Sequence, residues 1–166
     1  MIQIHYEDEE YIIVEKSSGQ FVHPYKKESN IRESLMADVR DHLGFYVYPI
    51  NRLDRPVSGI VVFAKMPEFV RPLQDIWHSE MIRKFYLGLT RGLFDSPGEF
   101  TFSLHDDNKI PKEAHTLYWP LLRFESATLV EIEIKTGRFH QIRRHFSRRV
   151  DHLLGDRKYG KKKYKS

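Results

Sequence analysis

Short apolar runs broken by charged turns set the pattern of this chain. Gln3 to Tyr6 and Tyr11 to Lys16 read as two strands joined by the acidic turn Glu7 to Glu10. Ile31, Leu35, Val39 and Leu43 recur at helical spacing, with Asn30 as N-cap, Glu33 three residues on, and Gly44 as the stop. Phe45 to Ile50 and Ile60 to Lys65 are the next two strands. Pro67 opens a second helix whose apolar face is Phe69, Val70, Leu73, Ile76 and Trp77, read as core. Arg83 to Arg91 is a strand, Asp95 to Gly98 a turn, Phe100 to Leu104 a short strand, and His105 to Ala114 a polar loop. His115 to Phe124 and Thr128 to Lys135 form a strand pair. In the second of these, Val130, Ile132 and Ile134 alternate with Glu131 and Glu133. Gly137 ends it, and Phe139 to Arg149 is a basic helix.

Hairpins outnumber regular strand–helix–strand units, which predicts an α+β fold: a mixed, mostly antiparallel sheet with helices packed against it. At 166 residues, without internal repeat or linker, the chain reads as one domain spanning 1–166. The absence of cysteine removes disulfides and thiolate chemistry and fits the cytoplasm. The longest apolar run, Ile60 to Ala64, is far too short to span a bilayer, so no membrane partner is expected.

Charge adds an asymmetry. Residues 135–166 hold 12 Lys/Arg against 2 Asp/Glu, while the other 134 residues hold 15 against 21 and the whole carries +4. A basic block on a mildly acidic body suits a polyanion. Lys161 to Lys165 alone reads as a solvated tail. Arg138 to Arg149 is interleaved with apolar residues, and Arg144 and Arg148, four apart, share a helix face able to meet phosphates.

One turn stands out chemically. Asn51-Arg52-Leu53-Asp54-Arg55-Pro56-Val57-Ser58-Gly59 sets an acid among arginines between two apolar runs. Loops held by a rigid frame often carry catalytic groups. On the local residues alone, the plainer reading is that Asp54 caps the turn that Pro56 and Gly59 enforce.

This stretch resembles the catalytic loop of the RluA-like pseudouridine synthases, in particular the branch that modifies transfer RNA at uridine 65. Three further stretches resemble the same family, in its order. They are Val14 to Gly19, Lys84-Phe85-Tyr86 with Gly92, and Thr136 to His145 followed by Gly155-Asp156-Arg157-Lys158-Tyr159-Gly160. The resemblance covers residues 11–160. It implies the pseudouridine synthase fold with a central RNA-binding cleft, and isomerisation of a uridine: the base is cut from C1′, rotated and rejoined through C5, with no cofactor.

Residue by residue, the resemblance assigns Asp54 as the essential ionised carboxylate. Whether it attacks C1′ or takes a proton from C2′ stays open. Arg143 is implied as its ion-pair partner, holding the carboxylate charged. Ile142 is implied as a wall of the base pocket, and Tyr86 as the ring on the flipped uracil, although in isolation Tyr86 reads as a core residue. Arg52 is implied to enter the RNA stack where the base leaves. Lys16 is implied to support the floor of the site; its alternative reading is a surface lysine at a strand end. Arg138, Arg144 and Arg148 are the further RNA-binding candidates. The nine histidines lack metal-ligand spacing, His140 and His145 being five apart, so no metal is expected.

Three positions depart from the family pattern: Asn51 replaces the usual His, Val57 the usual Thr, and Ser17 the usual Pro. The chain also stops soon after Gly155-Asp156, where family members continue, so it reads as a truncated or unusually short member. The expected partner is RNA, transfer RNA first and ribosomal RNA as the alternative, and the expected state is a monomer. The rival from another class is a non-catalytic RNA-binding module of the same fold.

Overall fold

A computed structural model describes residues 2–24, 34–148 and 152–160. The described chain gathers into two compact units, residues 1–81 and 82–166. The Asn30 cap with Ile31 and Glu33, Arg149, and the lysines from Lys161 lie outside the described residues.

The first unit is built on β1 (Gln3–Glu7), β2 (Tyr11–Lys16), β3 (Tyr48–Pro49) and β4 (Gly59–Ala64), in the order β1-β2-β4-β3 with every pairing antiparallel. Helix α1 (Leu35–Leu43) lies in the same core as Ile12, Val14, Val61 and Phe63. The opposite face of the sheet, with Ile13, Val62 and Ala64, packs against a 3₁₀ turn (Pro67–Phe69) and α2 (Val70–Trp77). Helices on both faces explain the unbroken apolar run of β4: Val61 and Phe63 serve one core, Val62 and Ala64 the other.

Several boundaries differ from the sequence expectation. Helix α1 is capped by Ser34, whose Oγ accepts from the Ala37 N–H, and Ser34 is itself extended, so this helix begins after it. Gly44 ends it in the left-handed region, as expected. The strand expected over Phe45 to Ile50 shrinks to β3, with Phe45 and Tyr46 exposed. Phe69 of the 3₁₀ turn and Val70, Leu73 and Trp77 of α2 pack on the sheet, but Ile76 points to solvent and none is fully buried.

The second unit holds β5 (Lys84–Arg91), β6 (Gly98–Phe100), the small hairpin β7 (Leu104–His105) and β8 (Pro111–Lys112), β9 (Thr116–Arg123), β10 (Ala127–Ile134) and α3 (Gln141–Arg148). The main sheet runs β5-β10-β9-β6, again antiparallel. Pro120 stands in β9 beside the register shift between Leu129 and Val130, where its missing N–H costs little. Phe146 of α3 packs with Phe100, Val130 and Ile132, and with Tyr86, Tyr118 and Ile142 at the margin. The strand expected over Phe100 to Leu104 is two separate pieces, and the polar loop after it contains a strand of the hairpin.

Glu133 keeps the alternation. It lies on the face opposite that core, as its period demands, yet it is buried. Arg83 grips it through two hydrogen bonds of 3.0 and 2.9 Å, and Lys135 adds a third of 2.6 Å. The Arg83 hydrogen bonds lead, against burial and with help from Lys135, in holding its pKa at about 2.

Candidate active site

In the first unit the Asp54 turn is anchored at three points. Asn51 acts as a surrogate strand residue: its Nδ2 donates to the Ile60 carbonyl at 3.0 Å and its Oδ1 accepts from Val62 N–H at 2.8 Å. Asparagine in place of the family histidine thus ties the start of the turn to β4. The turn closes on itself through Val57 N–H to the Asp54 carbonyl, 3.0 Å. Gly59 ends it at φ +134, a value that L side chains rarely adopt.

The third anchor is Lys16. It is fully buried, which rules out the surface reading. Its Nζ donates to the carbonyls of Ser17 (2.9 Å), Gln20 (2.8 Å) and Arg55 (3.2 Å), so all three ammonium protons have an acceptor. Burial pushes the Lys16 pKa down, and attraction to the Asp54 carboxylate works against that. Lys16 therefore places a positive charge near Asp54 while stitching the end of β2 to the turn. Ser18 Oγ to the Pro56 carbonyl, and Gly19 N–H to that of Arg55, complete the seam. Asp54 is half-buried; Arg52 is exposed and close enough to His23 to help burial lower that histidine's pKa.

In the second unit Tyr86 stands opposite Ile132 and, like Ile142, packs at the margin of the core, half-buried. Arg143, next to Ile142 on α3, makes two parallel bonds to Asp156: Nε to Oδ2 and Nη2 to Oδ1, each 2.8 Å. Its guanidinium also lies 5.1 Å from the Tyr159 ring centroid. Burial alone would raise the Asp156 carboxyl. Hydrogen bonds from Arg143 and from the Tyr159 and Lys158 backbones, with the charge of Arg143, outweigh it and hold the pKa at about 2. Gly160 closes this turn by donating to the Asp156 carbonyl, and a Cβ there would collide with that same oxygen.

The three basic candidates on this segment are each tethered to a carbonyl: Arg138 to Glu113 (2.8 Å), Arg144 to Phe139 (3.3 Å) and Arg148 to Ser103 (3.4 Å). Arg148 also covers the Phe102 ring.

Sequence reasoning gave no role to Asp156, Gln141 or His145, although all three lie in the quoted motifs. Gln141 is buried. Its Nε2 donates to the His115 carbonyl and to Thr116 Oγ1, and its Oε1 accepts from Thr136 Oγ1 and Arg138 N–H. His145 Nε2 faces the Phe102 carbonyl, so it carries the proton, and Nδ1 accepts from Thr116. These bonds fix the start and the middle of α3 to β9 and its entry, and with them the direction of Arg143. Among the described residues no three His, Asp or Glu gather as a metal-binding group.

The family model for RNA pseudouridylate synthase matches residues 10–148. The chain belongs to the RNA pseudouridylate synthase family. It is by that membership an isomerase that acts on RNA. Its sequence is 31% identical to a tRNA pseudouridine synthase C of Vibrio vulnificus, over 99% of this chain and 76% of the relative. It is 33% identical to the protein of that name from Pasteurella multocida, over 96% of this chain and 74% of the relative. The fold is that of pseudouridine synthase domains. Human RNA Pseudouridylate Synthase Domain Containing 1 superposes with a TM-score of 0.81 at 20% identity, covering 97% of this chain and 70% of that one. Human RNA Pseudouridylate Synthase Domain Containing 4 gives 0.77 at 24% identity, covering 95% and 68%.

Proposed function

We propose that this RNA pseudouridylate synthase isomerises a uridine of transfer RNA, with Asp54 as its essential carboxylate. The observation that carries the reading is the Asp54 turn itself: half-buried, pinned by Asn51 to a central strand, with the buried ammonium of Lys16 close enough to attract its carboxylate. That setting fixes the direction of the carboxylate before substrate arrives. The choice of transfer RNA is supported by the names of the relatives at about 30% identity over nearly the whole chain.

In this reading the ionised carboxylate of Asp54 acts at the ribose while the C1′–N1 bond breaks, and the freed uracil turns to present C5. Tyr86 stacks on the base and Ile142 forms a wall of its pocket. Arg143 is the arginine of the chemistry; its direction is set by Asp156, which takes two of the five guanidinium N–H donors. Arg52 replaces the departed base in the RNA stack. Arg138, Arg144 and Arg148 meet phosphates. The enzyme works as a monomer in the cytoplasm, apart from membranes; no helix of the described residues is long and apolar enough to cross one.

The test is incubation of the protein with bulk transfer RNA and ribosomal RNA, followed by mapping of pseudouridine by position. A new pseudouridine in transfer RNA, lost with Asp54→Asn while RNA binding persists, is the expected result. Loss of such a group can slow turnover by about a million-fold. Undiminished turnover by Asp54→Asn, with reversion to Asp excluded, removes Asp54 from the role; product in ribosomal RNA alone moves the substrate.

A further inference from the structure

Phe139 stands between the Gly137 break and α3 and is 57% exposed, although an apolar core lies on the same segment. Its ring is not loose. It stacks on the neighbouring His140 ring with centroids 3.7 Å apart and planes 23° from parallel. His140 holds that pose in a left-handed backbone conformation, φ +52, which costs a residue with a side chain free energy and persists only where its surroundings impose it. Two contacts impose it here. His140 Nδ1 is 2.9 Å from the Tyr159 hydroxyl, and the Tyr159 ring meets the His140 ring edge-on. Tyr159 is itself fixed by its backbone N–H bond to Asp156. The Nζ of Lys158 hangs 5.5 Å from the Phe139 centroid. Arg144 donates to the Phe139 carbonyl, so a second cation sits at the base of the stack.

A rigid, water-facing aromatic surface beside two cations has the parts needed to take a nucleobase with its phosphate. The ring offers a π face to any base, and Lys158 offers charge to the backbone. Because the stack is ordered before binding, little side-chain freedom is lost when a base lands on it. We propose that the Phe139–His140 stack is a platform for an unpaired base of the RNA substrate, separate from the pocket assigned to the target uracil. The proposal rests on the reading that the chain acts on RNA, and it adds a second base contact to that reading.

The experiment uses transcribed transfer RNA in which unpaired bases are replaced one at a time by 2-aminopurine, a base whose fluorescence falls when it stacks. Parent, Phe139→Leu and Phe139→Trp proteins are compared, with a fully paired RNA duplex as control. Phe139 is mostly exposed, so leucine leaves the fold intact, as circular dichroism will check. The expected result is quenching at one position with the parent and with Phe139→Trp, and loss of that quenching with Phe139→Leu. Affinity for transfer RNA should fall by about fivefold to a hundredfold in Phe139→Leu, with no change for the duplex. Equal quenching and affinity in parent and Phe139→Leu overturn the platform while leaving RNA binding intact. An equal loss on transfer RNA and duplex overturns it too, since a stacking site distinguishes them. A parent that binds neither RNA overturns the substrate reading and the platform together.

Discussion

Arg143 and Asp156 meet through two parallel hydrogen bonds, Nε to Oδ2 and Nη2 to Oδ1, each 2.8 Å, with side chains only 13% and 4% exposed. The Asp156 turn thereby becomes the mount of the arginine assigned to the chemistry. Removing one half of such a pair strands the other charge where water reaches it poorly.

Asp156→Asn is therefore expected to destabilise the protein by about 3–5 kcal/mol and to lower turnover more than RNA affinity. The pair also predicts an acid limb. Its folded pKa of about 2 lies below the ordinary 3.8, so its stabilisation is complete above 3.8 and is lost as pH falls toward 2. Denaturant titrations across that range should show a shallower pH slope in Asp156→Asn than in the parent. An unchanged slope and midpoint would mean that the pair contributes nothing to folding.

Lys16→Met keeps the side-chain length but leaves the carbonyls of Ser17, Gln20 and Arg55 without their shared donor. A loss of about 3 kcal/mol is expected, or roughly 6–12 °C in thermal midpoint for a chain of this size. Turnover should fall further than this instability explains, because the charge near Asp54 goes with it. Normal turnover measured well below the melting range would reduce Lys16 to a structural staple.

His145 carries the second pH signature. Burial leads in pushing its pKa from 6.5 to about 4, with Arg148, Arg144 and His115 adding to the effect. As pH falls, the unfolded chain binds this proton first, so stability present above 6.5 drains away between 6.5 and 4. His145→Gln should be less stable near neutrality and have a shallower slope, the contribution of His23 remaining. The carboxylates of Glu133 and Asp156 titrate lower, which keeps the two limbs apart. A slope undiminished in His145→Gln would assign it to another group.

Arg144 and Arg148 each spend one donor on a long bond to a carbonyl, 3.3 and 3.4 Å, and keep their charge. The double alanine variant should weaken RNA binding and flatten its salt dependence, by about 0.7–0.9 in slope per lost phosphate contact. It should also lose some stability, because Arg148 covers Phe102. An unaltered slope would show that this helix face does not meet phosphates.

The sequence by itself determined the longer strands and the order of the motifs. Period-two alternation over β10 and the unbroken run of β4 are local signals of burial, and they hold because a strand's side chains have only two directions to take. The turn around Asp54 was legible for the same reason, being bounded by such runs. Tertiary structure decided what local pattern cannot express. Glu133 obeys its period and is still buried, because Arg83, fifty residues away, covers it. β3 is short because past Tyr48 and Pro49 one backbone bond, from Ile50 N–H to the Val62 carbonyl, precedes the Asn51 side chain, which takes over the bonding to β4. Lys16 ends a strand, which locally means surface; only the folded loops supply the three carbonyls that make its burial tolerable. Arg143 finds Asp156 thirteen residues on, outside its own helix, and no spacing rule names a partner that belongs to a different element. Periodicity reports which face of an element is buried, while the partners of a buried charge are chosen in three dimensions.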